Sequence, residues 1–335
     1  MVGYPHAMRM RLVIASLAVF GLALVVFVYV LSGRGNGSQQ ASSTTTPSTT
    51  GASTGGSQEA PAEVPDDYAN VMIVPAAGGK VRALTHVHDE EAFFESPSFG
   101  RSSSLIAATR VDCEGCSGAV IIMRTDGTHQ RVVVADRNVT RVAWSPDGSM
   151  VAFSADGQIF VKSLRSGRTV RVTSGVPHDK PAWMPDSRSL VVVRQTTPAN
   201  SDLVRLSAQG GPETPLVSDA RPELDPAVSP DGKLVAYTRQ GVDGVWRLWL
   251  IGIDGSHPRV IPIAGRASDE NPSFSPDGTR LAYTSVLPFG NLRIGIVTLD
   301  GTHQRFLTKG MFEASQPSFS RSGKLIAFAA HPLPH

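Results

Sequence analysis

The sequence predicts an all-β fold, a six-bladed β-propeller in which each blade is a four-stranded antiparallel sheet. Three observations predict it. A phrase close to P-x-F-S-P-D-G-x-x-x-A recurs about every 45 residues, and each copy is followed by a segment with the pattern of a second hairpin. The 335-residue chain also contains 32 Gly and 24 Pro, which favours many tight turns. Four strands per unit at this period are typical of propeller blades.

Six copies of the phrase divide the chain from residue 67 onward into six units. Four copies are close to one another, and those that begin at Pro97 and Pro181 are looser. The aligned core positions are separated by 45, 39, 45, 46 and 45 residues. They are Phe99, Trp144, Trp183, Val228, Phe274 and Phe319. This regular spacing indicates repeats of one structural unit.

Each copy has the pattern of a β-hairpin around a tight turn. In VAWSPDGSMVAFS, which begins at Val142, proline pre-sets φ, aspartate bonds to its own backbone and glycine takes the left-handed position before an alternating strand. A second hairpin follows each copy; the one that begins at Asn291 reads NLRIGIVTLDGTHQRFLT. We therefore expect four short antiparallel strands in each unit.

The two ends of the array are predicted to complete one blade together. The sixth copy, Pro317 to Ala330, is followed by five residues, which leaves its unit two strands short. Residues 70–85 have the pattern of a second hairpin with no first hairpin before it. Pairing of residues 68–85 with 316–330 would close the ring and remove sheet edges that promote aggregation.

The residues before the repeats are predicted to contain a membrane anchor. The twenty residues from Leu12 to Leu31 carry no charge, and a helix of this length crosses the ~30 Å hydrocarbon core of a bilayer. Arg9 and Arg11 place the short leader, residues 1–11, in the cytoplasm. The run is longer than the apolar region of a secretory signal, which favours an uncleaved anchor over a cleaved signal peptide.

A tether is predicted between the anchor and the repeats. Residues 32–66 are rich in Ser, Thr, Gly and Pro, and Val64 is their one sizeable aliphatic side chain. This composition buries too little apolar surface to offset the entropy of ordering, so we expect a disordered linker. The propeller, residues 67–335, then lies outside the cytoplasm on a single-pass protein of the cell membrane.

Charge and cysteine content exclude several classes of function. With 31 basic and 29 acidic residues the formal net charge is +2, which provides no general basic field for nucleic acid. Two cysteines exclude a disulfide-rich scaffold and a four-cysteine zinc site.

The recurrent phrase resembles the TolB-like, WD-like family of propeller repeats, in which PxFSPDGxxIAF is followed by an IYVxxxDGxxxxxLT hairpin. The resemblance covers residues 68–330. This sequence departs from the family pattern at Gly100–Ser103, Val142, Asp186–Ser187 and Arg321–Ser322. The resemblance implies a six-bladed propeller outside the cytoplasmic membrane, often a platform that binds proteins. It does not imply membership of the Tol-Pal system, because TolB has an additional N-terminal α/β domain that this chain lacks.

Catalysis is not expected, although two kinds of enzyme have similar propellers. Prolyl-oligopeptidase-like peptidases add a catalytic domain to the propeller, and only five residues follow the last repeat here. A polysaccharide lyase on this fold would need an inward-facing histidine cluster, which the pattern does not place. We expect no catalytic residue, cofactor or metal site. A carbohydrate-binding or lyase-like protein of the cell envelope is the alternative.

The cysteines and histidines have structural interpretations. Cys113 and Cys116 are a disulfide candidate, because a local CxxC pair tends to oxidise outside the cytoplasm. His86 and His88 lie in an acidic connection that is either a cation site or a solvated loop. Three other histidines each follow a DG turn on a separate blade and are interpreted as turn residues. These are His129, His257 and His303.

The segments that lead into the first strand of each unit are predicted to form the binding surface. In a propeller they gather around one mouth of the channel, and loops on a rigid ring form the usual binding surface. The charged candidates would make a mainly acidic rim with two basic counter-charges. They are Glu95, Arg141, Asp179, Lys180, Glu223, Asp225, Asp269, Glu270 and Glu313. Loops that are polar only because they are solvated are the alternative.

The sequence therefore predicts a membrane-tethered, extracytoplasmic propeller that acts as a scaffold or recognition module for a protein or peptide. No nucleic-acid partner is expected, and contact with the membrane is through the chain's own anchor helix. The identity of the partner and the oligomeric state stay open.

Overall fold

The computed structural model describes residues 70–85, 93–111, 118–265, 268–287, 291–309 and 312–332. The predicted leader, membrane helix and linker lie outside these residues, as do His86, His88 and the Cys113–Cys116 pair. No helix that could cross a membrane occurs within the described ranges.

The described chain forms 24 strands in six four-stranded sheets. Blade one contains β3 (Phe93–Phe99), β4 (Leu105–Val111), β5 (Gly118–Arg124) and β6 (Arg131–Arg137). Blade two contains β7 (Val139–Trp144), β8 (Met150–Ala155), β9 (Gln158–Ser163) and β10 (Thr169–Arg171). Blade three contains β11 (His178–Trp183), β12 (Ser189–Thr197), β13 (Asn200–Ser207) and β14 (Thr214–Val217).

The remaining three blades have the same antiparallel order. Blade four contains β15 (Glu223–Val228), β16 (Leu234–Gln240), β17 (Trp246–Gly252) and β18 (Arg259–Val260). Blade five contains β19 (Ser268–Phe274), β20 (Arg280–Val286), β21 (Leu292–Thr298) and β22 (Arg305–Phe306). Blade six contains β23 (Phe312–Phe319), β24 (Leu325–Pro332), β1 (Asn70–Pro75) and β2 (Arg82–Ala83). The predicted all-β propeller of six four-stranded blades is confirmed.

Blade six is built from both ends of the repeat array. β1 pairs antiparallel with β24, from Asn70 opposite Ala330 to Pro75 opposite Leu325. β2 then pairs with β1 as the outer strand. The ring is therefore closed by the N-terminal strands, as the sequence predicted.

The first strand of each blade lies nearest the channel. These inner strands, β3, β7, β11, β15, β19 and β23, contact their neighbours all the way round the ring. Because they run in the same sense, all six begin at one end of the channel and all six end at the other. We call the end where they begin the upper mouth. The end where they run into the SPDG-type turns is the lower mouth.

The hydrophobic core lies between the blades. Each of the six core clusters contains side chains from two neighbouring blades. Tyr237 and Tyr283 are both fully buried in such clusters, and Phe153 stacks on Phe160 with ring centroids 5.5 Å apart. Each blade is thus held rigidly by the next, which fixes the positions of residues at the two mouths.

Candidate binding surface at the upper mouth

Five inner strands contain a β-bulge at the leading proline of the repeat. In blade one, the pairing with β4 skips a position between Glu95 and Ser98. The residue before the proline has a left-handed φ of 50–55° in each of the five blades. Proline has no N–H, so no ladder donor is lost at its position. The five left-handed residues are Ser96, Lys180, Asp225, Asn271 and Gln316.

Blade two is the exception. Arg141 takes the aligned position, and Val142 takes the place of proline. Arg141 is not among the residues with positive φ, and the shift in register falls between Val139 and Arg141 instead. We call the six aligned residues the upper ring: Ser96, Arg141, Lys180, Asp225, Asn271 and Gln316.

Polar contacts link the upper ring across blades five, six, one and two, which follow one another around the channel. The Gln316 backbone N–H donates to Thr284 Oγ1 (3.0 Å), and Gln316 Oε1 accepts from the Ser96 N–H (2.6 Å). Arg141 Nη1 donates to Ser96 Oγ (3.2 Å) and lies 3.4 Å from Glu95 Oε2. Contacts that cross from blade to blade hold these side chains in place.

An ion pair joins blades three and four. Lys180 Nζ lies 2.7 Å from Asp225 Oδ1, and the two side chains are only 12% and 7% exposed. Burial opposes ionisation of Asp225, but the charge and hydrogen bond of Lys180 together with the charge of Arg141 outweigh it, so the pKa of Asp225 lies below its ordinary value. A hydrogen bond with Asn271 adds to this stabilisation of the carboxylate. Next to this pair, Asp179 Oδ1 accepts from the Lys180 N–H (2.7 Å) and from Thr140 Oγ1 (3.3 Å).

Three other acidic candidates lie in a low-dielectric environment. Burial, followed by the negative charge of Asp225, raises the pKa of Glu270 to about 7. Burial also raises the pKa of Asp269 to about 6, although Asp269 Oδ1 accepts from Ser285 Oγ (2.9 Å). The pKa of Glu313 is raised by burial as well. Asp269 and Glu270 therefore gain or lose protons near neutral pH, and the pKa of Glu313 is displaced in the same direction.

Glu223 lies in the protein interior and not on the surface of the rim. Its side chain is fully buried, with Oε1 3.4 Å from Arg239 Nε. Arg239 also pairs with Asp219. Burial, followed by the charge of Asp202, raises the pKa of Glu223 to about 8. Asp269 is also buried, so the accessible rim is less acidic than the sequence-based list implies.

The buried residues that precede the upper ring along the inner strands differ between the two halves of the propeller. Two residues before the ring position, three blades carry apolar residues and three carry ionisable ones. In blade order these are Phe94, Val139, His178, Glu223, Asp269 and Ala314, and all six are buried. His178 Nε2 lies 2.8 Å from Glu213 Oε1. Blades three to five therefore place ionisable groups in the protein interior.

Sequence reasoning missed the uncharged members of the upper ring. Ser96, Asn271 and Gln316 were not among the candidates, which were chosen for charge. The available signal was positional, because each of these residues directly precedes the proline of the repeat. The candidates also belong to the first residues of the inner strands rather than to connections. The bulge interrupts the alternation by which the start of a strand is recognised.

The histidines that follow DG turns lie in turns, as predicted. His129, His257 and His303 have φ of 55°, 52° and 53°. His129 Nδ1 lies 2.9 Å from Thr128 Oγ1, and His303 Nδ1 lies 2.8 Å from Thr302 Oγ1. Across the described ranges, no group of three His, Cys, Asp or Glu residues is arranged to hold a metal ion.

Six closed blades with a rigid polar ring at one mouth define a β-propeller with a preformed surface around its channel. Residues 66–271 match the family model for the TolB beta propeller domain, so the chain belongs to this family.

Known proteins share this fold. A solved TolB structure from Agrobacterium tumefaciens is 20% identical to this chain and has a TM-score of 0.66. The match covers 80% of this chain and 99% of the solved chain. An oligogalacturonate lyase solved with manganese is 15% identical and has a TM-score of 0.51, and that match covers 81% of this chain and 99% of the lyase. The peptidase YuxL of Bacillus subtilis, described as uncharacterized, is 27% identical over a match that covers 31% of this chain. The match spans only 22% of the length of YuxL.

Proposed function

We propose that this chain is a membrane-tethered, extracytoplasmic scaffold or recognition module that binds a protein or peptide segment at its upper mouth. The observation that carries the proposal is the left-handed backbone at five equivalent ring positions. Such conformations cost about 1–2 kcal/mol each. A bulge that aims a side chain at the channel gives this cost a function.

The chemistry of the ring supports a peptide as the ligand. The upper ring, with the adjacent Glu95, combines hydrogen-bonding groups with two ion pairs, Glu95–Arg141 and Lys180–Asp225. Polar groups fixed before binding can replace the hydration of a peptide backbone at little entropic cost. Little change of shape is then needed on binding.

The tether would join the propeller on the side of this surface. Asn70 pairs with Ala330, and Ala330 pairs with Ala314 near the start of an inner strand. Asn70, the first described residue, therefore lies at the upper face. With residues 1–11 as a cytoplasmic leader, 12–31 as the anchor helix and 32–66 as a flexible linker, the propeller would lie roughly 30 Å from the membrane.

A crosslinking experiment in the cells that make the protein tests this proposal. A photoreactive amino acid is placed at Asn271 in the ring or, as a matched control, at Thr302 in an outer hairpin turn. We expect one defined protein to crosslink at Asn271 and not at Thr302. Charge reversal at Asp225 and Glu270 should abolish that adduct in variants whose melting curves show that the fold is retained. If every captured partner is unchanged by the reversal, the proposal fails.

The alternative is a carbohydrate-binding or lyase-like protein of the cell envelope. The shared fold of the oligogalacturonate lyase motivates it. Incubation of the chain with envelope glycans, with and without Mn²⁺, separates the two functions. Turnover of a glycan, or a rise in Tm that requires the metal, would favour the alternative.

A further inference from the structure

The lower mouth carries arginines that its turns do not require. Four of the six turns have proline at the second position, where proline pre-sets φ. Blades six and one, which are neighbours in the ring, have Arg321 and Arg101 there. Blade three has a further arginine, Arg188, two residues after Asp186. Since an arginine does nothing for the φ of the turn, its side chain needs another explanation.

These arginines surround one cavity. An open cavity of about 520 Å³ lies among the turns of blades six, one, two and three. Its lining includes Arg101, Pro146, Met150, Pro185, Arg188 and Arg321. Arg321 Nη2 donates to the Pro146 carbonyl oxygen (3.1 Å), so its side chain reaches from blade six past blade one to blade two. This hydrogen bond holds one guanidinium across the mouth.

The acidic residues in the lining are committed to their own turns. Asp147 Oδ1 accepts from Ser145 Oγ (2.6 Å) and from the Ser149 N–H (3.0 Å). Asp186 Oδ1 accepts from the N–H groups of Arg188 (2.7 Å) and Ser189 (2.9 Å). Among the described residues, the hydrogen bonds of both carboxylates are with their own turns and not with a guanidinium of the cavity.

All three guanidinium groups retain N–H donors for a ligand, because the bond of Arg321 to Pro146 uses Nη2 alone. Within the described part of the chain, the side chains of Arg101 and Arg188 make no ion pair or hydrogen bond, and both residues are exposed. The planar guanidinium presents a fork of N–H groups that matches a carboxylate or a phosphate. Pro146, Pro185 and Met150 provide apolar surface beside it.

We propose that the lower mouth binds an acidic peptide segment of a partner protein, with a carboxylate held between Arg101 and Arg321. A carboxylate carries one negative charge, and the nearby Asp147 and Asp186 repel it less than they repel a doubly charged phosphate. The apolar lining accommodates the carbon chain that accompanies a Glu or Asp side chain. This site lies at the opposite end of the channel from the upper ring and does not depend on the function proposed there.

Fluorescence anisotropy with the full chain tests the assignment. The probe is a fluorescent synthetic peptide in which Glu alternates with Ala, and a Gln–Ala peptide of equal length is the matched control. We expect the Glu peptide alone to bind. Arg101→Ala/Arg321→Ala should weaken its binding roughly tenfold or more, because two charged hydrogen-bond donors are lost. Arg101→Lys/Arg321→Lys keeps the charge but not the fork, and should give an intermediate loss.

Controls separate this site from general electrostatics. Arg165→Ala/Arg168→Ala removes the same charge from an exposed outer turn of blade two and should leave binding unchanged. Inorganic phosphate should displace the Glu peptide poorly. Equal losses in the two double alanine variants, tighter binding of phosphate than of the peptide, or no binding by the unmodified chain would each overturn the proposal. Superimposable melting curves for all variants would show that the fold is retained.

Discussion

Lys180 Nζ and Asp225 Oδ1 form a 2.7 Å ion pair that joins blades three and four within the upper ring. Both residues have left-handed φ, so the bulge that strains each backbone also brings the two charges together. Removal of one partner would leave the other charged and largely buried. The pair therefore links the geometry of the candidate site to the stability of the propeller.

The first prediction concerns this pair. Asp225→Asn should lower the free energy of unfolding by about 3–5 kcal/mol, because the Lys180 ammonium loses its partner in a low-dielectric site. Urea denaturation measures the change. Asp243→Asn breaks the exposed pair with Arg247 and should cost far less, because solvent screens that pair. Equal losses in the two variants would show that the Lys180–Asp225 pair is solvated.

The second prediction concerns the pH dependence of stability through Glu223. Its pKa rises from 4.5 to about 8 on folding. Between these pH values the folded chain binds more protons than the unfolded chain, so the Glu223 contribution to the free energy of unfolding falls as pH rises.

Glu223→Gln should flatten this dependence. The difference in unfolding free energy between the variant and the unmodified chain should move in favour of the variant from pH 5 to pH 8, by up to a few kcal/mol. Urea denaturation across this pH range measures it. A difference that stays constant from pH 5 to pH 8 would mean that Arg239 keeps Glu223 ionised in the fold.

The ring could be predicted from sequence because its determinants are local. Turn chemistry at SPDG and alternation in the following strand specify a hairpin without knowledge of the rest of the chain. The spacing and number of the repeats then give the number of blades. The pairing of Asn70 with Ala330 spans most of the chain, yet it followed from the two strands missing at each end.

The interior of the candidate site could not be predicted in the same way. Charge alone did not distinguish Glu223, which is fully buried, from Glu95, which is partly exposed and pairs with Arg141 of the neighbouring blade. The difference depends on which side of a bulged strand each residue occupies. A bulge shifts that assignment by one residue, and it is revealed only by pairing with the next strand.

The third prediction concerns a close contact inside blade five. Gly295 lies opposite Tyr283 in the β20–β21 pair, and a Cβ on Gly295 would lie 2.5 Å from Tyr283 Cζ. Gly295→Ala should therefore destabilise the fold by about 1–3 kcal/mol, because the fully buried ring must move. In a Tyr283→Leu background the same substitution should be neutral or stabilising, since alanine is better than glycine in a strand. A double-mutant cycle by urea denaturation measures this coupling, and a coupling near zero would contradict the contact.

The fourth prediction isolates the backbone strain of the upper ring. Gln316→Ala and Gln316→Gly both remove the contact with the Ser96 N–H, so their difference reports the backbone alone. At a φ of 55°, glycine should be more stable than alanine by about 1 kcal/mol.

Arg141 provides the matched comparison, because it occupies the aligned position without a positive φ. Here the order should reverse, and Arg141→Ala should be more stable than Arg141→Gly by about 0.5–1 kcal/mol. Both pairs are measured by urea denaturation under the same conditions. If glycine is not favoured at residue 316, the left-handed ring is unstrained. The argument that the strain serves binding would then lose its basis, while the Lys180–Asp225 contact would be unaffected.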